Sequence, residues 1–230
     1  MSIKRIFLIV LFFAGLQPVF GQQIEFRPQV GIGTYAMSDL KGLLKESVAQ
    51  SQLGLKTTEN FPAYVFYGLD VVYAISPKFG FGITSGFYST GGRNHIADYS
   101  GSYREDIKVN AINAGLLASF KDTLASHFFY GIELGSGIKF SNISVESDLN
   151  ISDYNEQSKY DLKSQGWWIE PQLRFGRTFW RRFSCSVFGG YEFNLKSALK
   201  LKEGSSNQSK VKIDWSGLRT GVCLSYRVGF

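Results

Sequence analysis

The chain holds two histidines and two cysteines in 230 residues, which limits the chemistry it can do. His95 lies in the stretch RNHIADYSGS, close to Asp98 and Ser100. A Ser/His/Asp set performs nucleophilic acyl transfer, with the hydroxyl as nucleophile, the imidazole as base and the carboxylate as its orienting partner. Here all three fall in one Ser- and Asp-rich stretch, where such proximity arises by chance, and no flanking motif supports them. His127 stands alone at the start of a predicted strand. The paired glycines Gly31 and Gly33, Gly80 and Gly82, and Gly135 and Gly137 fall inside alternating segments. A phosphate loop needs a strand-to-helix junction, whereas glycine within a strand relieves crowding. No catalytic, cofactor-binding or metal-ligating residue is assigned.

The other chemistry-bearing set is ionic. Asp70, Glu133, Glu170 and Glu192 share the polar parity of alternating segments with Arg27, Lys139, Arg174, Lys196, Arg219 and Arg227. If that parity faces an enclosed space, the charges must pair, because an unpaired buried charge is costly. Glu192 and Arg219, near one height on adjacent strands, are the first expected pair. Glu133, Glu170 and Arg174 form a second expected group. The network of Asp70, Glu133, Glu170, Arg174, Glu192, Arg219 and Arg227 would fill a lumen; the alternative is a narrow or gated polar path.

The elements that must position these side chains are strands. In the C-terminal run LRTGVCLSYRVGF, Leu218, Val222, Leu224, Tyr226, Val228 and Phe230 alternate with Arg219, Gly221, Cys223, Ser225, Arg227 and Gly229. This is period-two patterning carried to the last residue. An apolar strand left as an open edge invites aggregation, and a closed barrel removes the edge. Strands are expected at 25–36, 63–75, 79–89, 105–120, 127–140, 166–177, 183–195 and from 211 onward. Parity changes suggest bulges near Asn110 and at Ser216-Gly217. Short connections at 76–78, 121–126 and 178–182 alternate with long ones at 37–62, 90–104, 141–165 and 196–210. The first long connection has a helical pattern, Leu40, Leu43, Leu44 and Val48, with Ser38 or Asp39 as N-cap. That face is either a lid on its own barrel or a surface for a partner.

Even strand number, short turns at one end and long loops at the other are the marks of an outer-membrane barrel. The fold class is all-β: an eight-stranded antiparallel transmembrane β-barrel with a short helix in the first extracellular loop. Phe79, Phe128, Phe179, Trp180, Phe183 and Phe230 would form the aromatic girdle at the short-turn end, and Trp167 and Trp215 the one at the loop end.

Lys4 and Arg5 precede an apolar run at 6–16, too short to span a bilayer, and Val19-Phe20-Gly21 supplies a cleavage site. Residues 1–21 read as a signal peptide and 22–230 as the barrel domain. The formal net charge of +6 falls by two once Lys4 and Arg5 are removed, and the remaining basic residues form no stripe. Nucleic-acid binding is therefore not expected. Cys185 and Cys223 fall on neighbouring strands but on opposite faces, which opposes a disulfide. A soluble lipocalin-type carrier would need an apolar interior and a Gly-x-Trp in its first strand. Here Gly31 and Gly33 are followed by Ile32 and Thr34-Tyr35, and the charged face is the inner one.

With Tyr226, Val228 and Phe230 ending the last of these strands, residues 24–230 resemble the small outer-membrane β-barrel proteins of Gram-negative bacteria, with OmpA- and OmpX-type walls. The segment MSDLKGLLKE is similar to the PorT-like branch of that family, which is implicated in type IX secretion. The resemblance implies a location in the outer membrane with periplasmic termini and contact with outer-membrane lipid. It also implies recognition of the terminal strand by the barrel-insertion machinery and an envelope protein as candidate partner. The function to expect is a non-enzymatic structural or interaction module, in a secretion apparatus if the PorT-like likeness holds; the alternative is a small porin-like channel for polar solutes. Arg219→Ala should lower the heat-unfolding temperature of the refolded barrel, and an unchanged temperature would refute the Glu192–Arg219 pairing.

Overall fold

The computed structural model describes residues 23–50, 56–99, 101–151, 154–195, 197–198, 200–201 and 211–229. The expected signal peptide, Lys196 and Phe230 lie outside the described residues. Eight strands make the wall: β1 (Gln23–Gly33), β2 (Tyr64–Ala74), β3 (Phe79–Asp98), β4 (Gly101–Ala125), β5 (Phe128–Ile151), β6 (Tyr154–Trp180), β7 (Phe183–Asn194) and β8 (Gly217–Gly229). Each pairs antiparallel with its sequence neighbours. The ring closes where β8 meets β1, from Gln23 opposite Gly229 to Gly33 opposite Arg219. Lipid offers no hydrogen bonds to a backbone, so a spanning sheet must close in this way.

Two of the expected loops are strands. The stretches 90–104 and 141–165 continue β3 into β4 and β5 into β6, with unbroken pairing across most of both hairpins. β5 and β6 run for 24 and 27 residues, against 11 for β1 and β2. At about 3.4 Å per residue they outreach the ten or so residues a tilted strand needs to cross lipid. On their water side Glu146 of β5 ties the sheet together, accepting from Lys159 of β6 at 2.6 Å and Lys108 of β4 at 3.3 Å. Those hydrogen bonds, that of Lys159 first, hold the Glu146 carboxyl below its ordinary range.

The polar composition of these stretches hid the period, which continues with its sense reversed. In the lower wall Phe87, Ile112, Phe140, Leu116 and Ile132 point outward and are exposed. The next row up reads Ser89, Asn110, Asn142 and Lys163, cross-strand partners on β3, β4, β5 and β6. Above that row the apolar residues are inside: Ile107, Val109, Ile143 and Val145 are all buried. The expected bulge near Asn110 is therefore absent, since its register with Ser89 and Asn142 is continuous. Nor does Ser216-Gly217 bulge: Ile213 and Trp215 share the inward parity of Arg219 and are buried with it. Trp215 thus leaves the expected girdle for the interior, where its indole N–H donates to Ser141 Oγ at 2.8 Å. Trp167 stays on the outside, as do Phe79, Phe128, Phe179, Trp180 and Phe183 near the short turns.

The helix α1 (Ser38–Gln50) caps this upper core. The chain enters it through Met37, whose φ of 44° is left-handed and whose side chain is fully buried. Burial of the thioether offsets the strain that a non-glycine residue meets there. Leu40 and Leu44 drop into the barrel mouth among Phe61, Ile107, Val109 and Ile213. Gly92 makes the close approach feasible, since a Cβ there would collide with the Leu44 side chain and crowd the Phe61 ring. Asn94 donates to the Leu44 carbonyl at 2.9 Å, and Asp39 accepts the Lys212 amide at 3.0 Å. The helix is a lid held to the wall at both sides.

The row of Asn110 and Asn142 marks the upper edge of the lipid-facing band. In a background with Cys185 and Cys223 replaced by serine, Asn142→Cys should react with a charged maleimide in the folded, lipid-embedded protein and Ile112→Cys should not. Equal labelling of both would move the boundary.

Candidate functional site in the barrel lumen

Inward parity brings the ionic residues of seven strands into one column, arranged in two tiers. In the upper tier Glu192 of β7 accepts from Lys139 of β5 at 2.6 Å and from Arg219 of β8 at 3.2 Å. All three are buried. Arg219 also donates to the carbonyls of Thr34 at 2.7 Å and Trp215 at 2.9 Å. Aromatic faces complete the tier: Lys139 Nζ lies 4.0 Å from the Tyr88 ring centre, and the Arg219 guanidinium 4.8 Å from that of Tyr35. A cation over a ring face keeps part of the stabilisation it loses on leaving water.

In the lower tier Glu133 of β5 is the hub. It accepts from Arg27 of β1 at 2.6 Å, from Arg174 of β6 at 2.9 Å and from Ser119 at 3.1 Å. Asp70 stands 3.6 Å from Arg174, and Gln29 donates to it at 3.4 Å. Below, Glu25 gathers Arg27 at 3.0 Å, Arg227 at 3.6 Å and Lys121 at 3.9 Å. Between the tiers Phe66, Tyr88 and Phe188 cross the bore, with Phe66 stacked on Tyr88 at 5.4 Å. The lumen is filled with paired charge and aromatic rings, as an eight-stranded bore demands.

The structure joins Glu192 to Arg219 and Glu133 to Arg174. It separates Glu170 from the second group. Glu170 takes a hydrogen bond from Gln172 at 2.7 Å, and among the described residues no cation stands within ion-pair distance of it. Glu133 and Glu170 share inward parity, but Glu170 lies level with Gly135, one inward row above Glu133. Lys139 was on the expected inner face yet without a partner, because its contact with Glu192 crosses the bore between strands that are not neighbours. Glu25 and Lys121 were missed altogether. Glu25 sits at a strand start, and Lys121 falls in a stretch that reads as a turn but continues β4.

Of the helix residues offered as a partner surface, Leu40 and Leu44 are consumed by the lid and Val48 is half-buried; Leu43 is exposed. His95 sits on β3 opposite Arg104 and Lys56. Ser100, the nucleophile that set would need, lies outside the described residues. Cys185 pairs with Leu224 and Cys223 with Ser186 in the ladder, and both thiols are free. Among the described residues no cluster of His, Cys, Asp or Glu has metal-site geometry.

No family model matches the chain, and no curated protein matches it in sequence. Solved structures similar to it are outer-membrane proteins. OprG from Pseudomonas aeruginosa is 14% identical with a TM-score of 0.49, over 90% of this chain and 96% of OprG. A major outer membrane protein from Thermus thermophilus is 12% identical with a TM-score of 0.49, over 89% of this chain and 99% of that one. The Neisserial surface protein NspA is 11% identical with a TM-score of 0.37, over 91% and 97%. The assignment as a transmembrane barrel rests on the closed ring and its lipid-facing band.

Removing Glu192 strands two buried cations, whereas removing Arg219 leaves Glu192 with Lys139. Glu192→Gln should therefore destabilise the refolded barrel by about 3–5 kcal/mol, the range for breaking a buried pair, and by more than Arg219→Ala. Urea unfolding in lipid vesicles measures both; a smaller loss for Glu192→Gln would show that Glu192 is not the hub.

Proposed function

We propose that the chain is a non-enzymatic integral protein of a Gram-negative outer membrane, acting as a structural and interaction module of the envelope. The observation that carries this reading is the sealed lumen beneath a clamped lid. A solute path would have to part the Lys139–Glu192–Arg219 tier, the Phe66, Tyr88 and Phe188 rings and the Arg27–Glu133–Arg174 tier in turn. Each parting would leave uncompensated charge in a low-dielectric bore. The porin-like alternative would need all three layers to part.

With the bore closed, the surface left for interaction is outside. The β3–β4 and β5–β6 hairpins stand above the lipid-facing band with polar outer faces, and Leu43 adds one exposed apolar residue on the lid. Both ends of the ring lie with the short turns, which is the periplasmic side in such barrels. An envelope partner, including a secretion apparatus, would meet the hairpins and the outer face of the lid. Its Leu40 and Leu44 are already committed to the barrel.

Refolded protein in planar bilayers should show no steady open channel, and native outer membranes crosslinked mildly should yield a stoichiometric envelope partner through a tag near Ser205. A steady conductance in the wild type would overturn the closed-lumen reading, and absence of any partner above background would remove the interaction role.

A further inference from the structure

A cup of about 830 Å³ opens between the short turns and ends at the Arg27–Glu133 contact. Glu25, Arg27, Lys121 and Arg227 face it, together with the apolar side chains of Val72 and Phe129. Among the described residues its charge does not balance. Around the cup and its roof four cations, Arg27, Lys121, Arg174 and Arg227, meet three carboxylates, Glu25, Asp70 and Glu133, among the described residues. Lys78 and Asp122 at the rim neutralise each other at 2.7 Å.

Lys121 is the group left short. Its ammonium has three donors. The nearest carboxylate oxygen is 3.9 Å away, beyond hydrogen-bond distance, and the Phe129 ring centre is 3.7 Å away. The Nζ is shielded from solvent and makes no hydrogen bond, and the Nε of the buried Arg27 is likewise without an acceptor. A shielded cation with no acceptor is a standing cost that an incoming anion would relieve. The cup far exceeds a single inorganic ion, and Val72 and Phe129 supply an apolar wall beside the charge.

We propose that this cup binds a small organic anion, a carboxylate or phosphate monoester carrying an apolar group, with Lys121 and Arg27 as donors to the anionic head and Phe129 beside the apolar part. The site is independent of which membrane face the cup opens to, so its failure and that of the closed-barrel reading are separable.

The test is calorimetry on the refolded chain in zwitterionic micelles with benzoate, phenyl phosphate and neutral benzamide, with the Lys121 side-chain resonance followed by NMR in parallel. At least one of the two anions should bind saturably and shift the Lys121 resonance, while benzamide does neither; whichever anion binds assigns the head group. Lys121→Met should weaken binding about tenfold or more, the loss of one charge-assisted hydrogen bond, and Lys121→Arg should retain it. No saturable binding of either anion, equal binding of benzamide, or unchanged affinity in Lys121→Met would overturn the proposal. If Lys121→Met fails to fold, the unaltered chain decides: a Lys121 resonance unshifted by either anion overturns it.

Discussion

Everything in this molecule follows from the pairing of β1 with β8. A sheet in lipid cannot leave an edge, because each unpaired amide or carbonyl there costs several kcal/mol. Once Gly33 faces Arg219 and Gln23 faces Gly229, the wall is closed and its inner parity is cut off from lipid and, above the cup at the short-turn end, from solvent. Closure with eight strands leaves a bore that side chains fill. The inner residues then face one choice: pair their charges or lose them. Lys139, Glu192 and Arg219 pair across the bore, and Arg27, Glu133 and Arg174 do so below them.

The same wall solves a second problem where it leaves the lipid. Above the row of Asn110 and Asn142 its outer face meets water, so the apolar side chains lose their lipid solvent and the hydrophobic effect draws them inward. Ile107, Val109, Ile143 and Val145 keep their strand geometry and line an ordinary apolar core. That core needs a cover, and α1 supplies it with Leu40 and Leu44. The lid is thus a consequence of the change in solvent along the barrel axis, and the left-handed Met37 is the local cost of folding the chain back over the mouth.

The lower wall was legible because lipid outside and charge inside give strict alternation, as in β2 and the first half of β5. Strand number and the placing of the short turns followed from that pattern, although β4 and β6 run on to Ala125 and Trp180 through stretches that read as turns, and the helix followed from its own period. The upper hairpins were not legible, since their outward residues are polar and resemble loop; the inward Ile107 and Val109 then looked like a slipped register needing a bulge. Register predicts contacts between adjacent strands, so Glu192 with Arg219 was within reach. Contacts across the bore depend on side-chain length and on how the ring curves, which no pairing pattern encodes. Lys139 to Glu192 and Arg27 to Glu133 were hidden for that reason. Trp215 was misplaced because its aromatic type fits a girdle as well as a core, and only its parity with Arg219 distinguishes them.

The two tiers also differ in how they meet solvent, and that difference separates structure from function in the bore. The upper tier is shut in: Arg219 spends donors on Glu192 and on three carbonyls, leaving its Nε without an acceptor, and Lys139 sits on Glu192 beneath aromatic faces. Buried beneath the lid, that tier serves as a seal. The lower tier thins out toward the short turns, where Glu25 is shared among three cations and Lys121 reaches no acceptor. An apolar side chain at 121 would pack beside Phe129 without the desolvation cost of an ammonium whose nearest carboxylate oxygen is 3.9 Å away. A cation in that position, in a cup wide enough to admit another molecule, fits the proposed anion site.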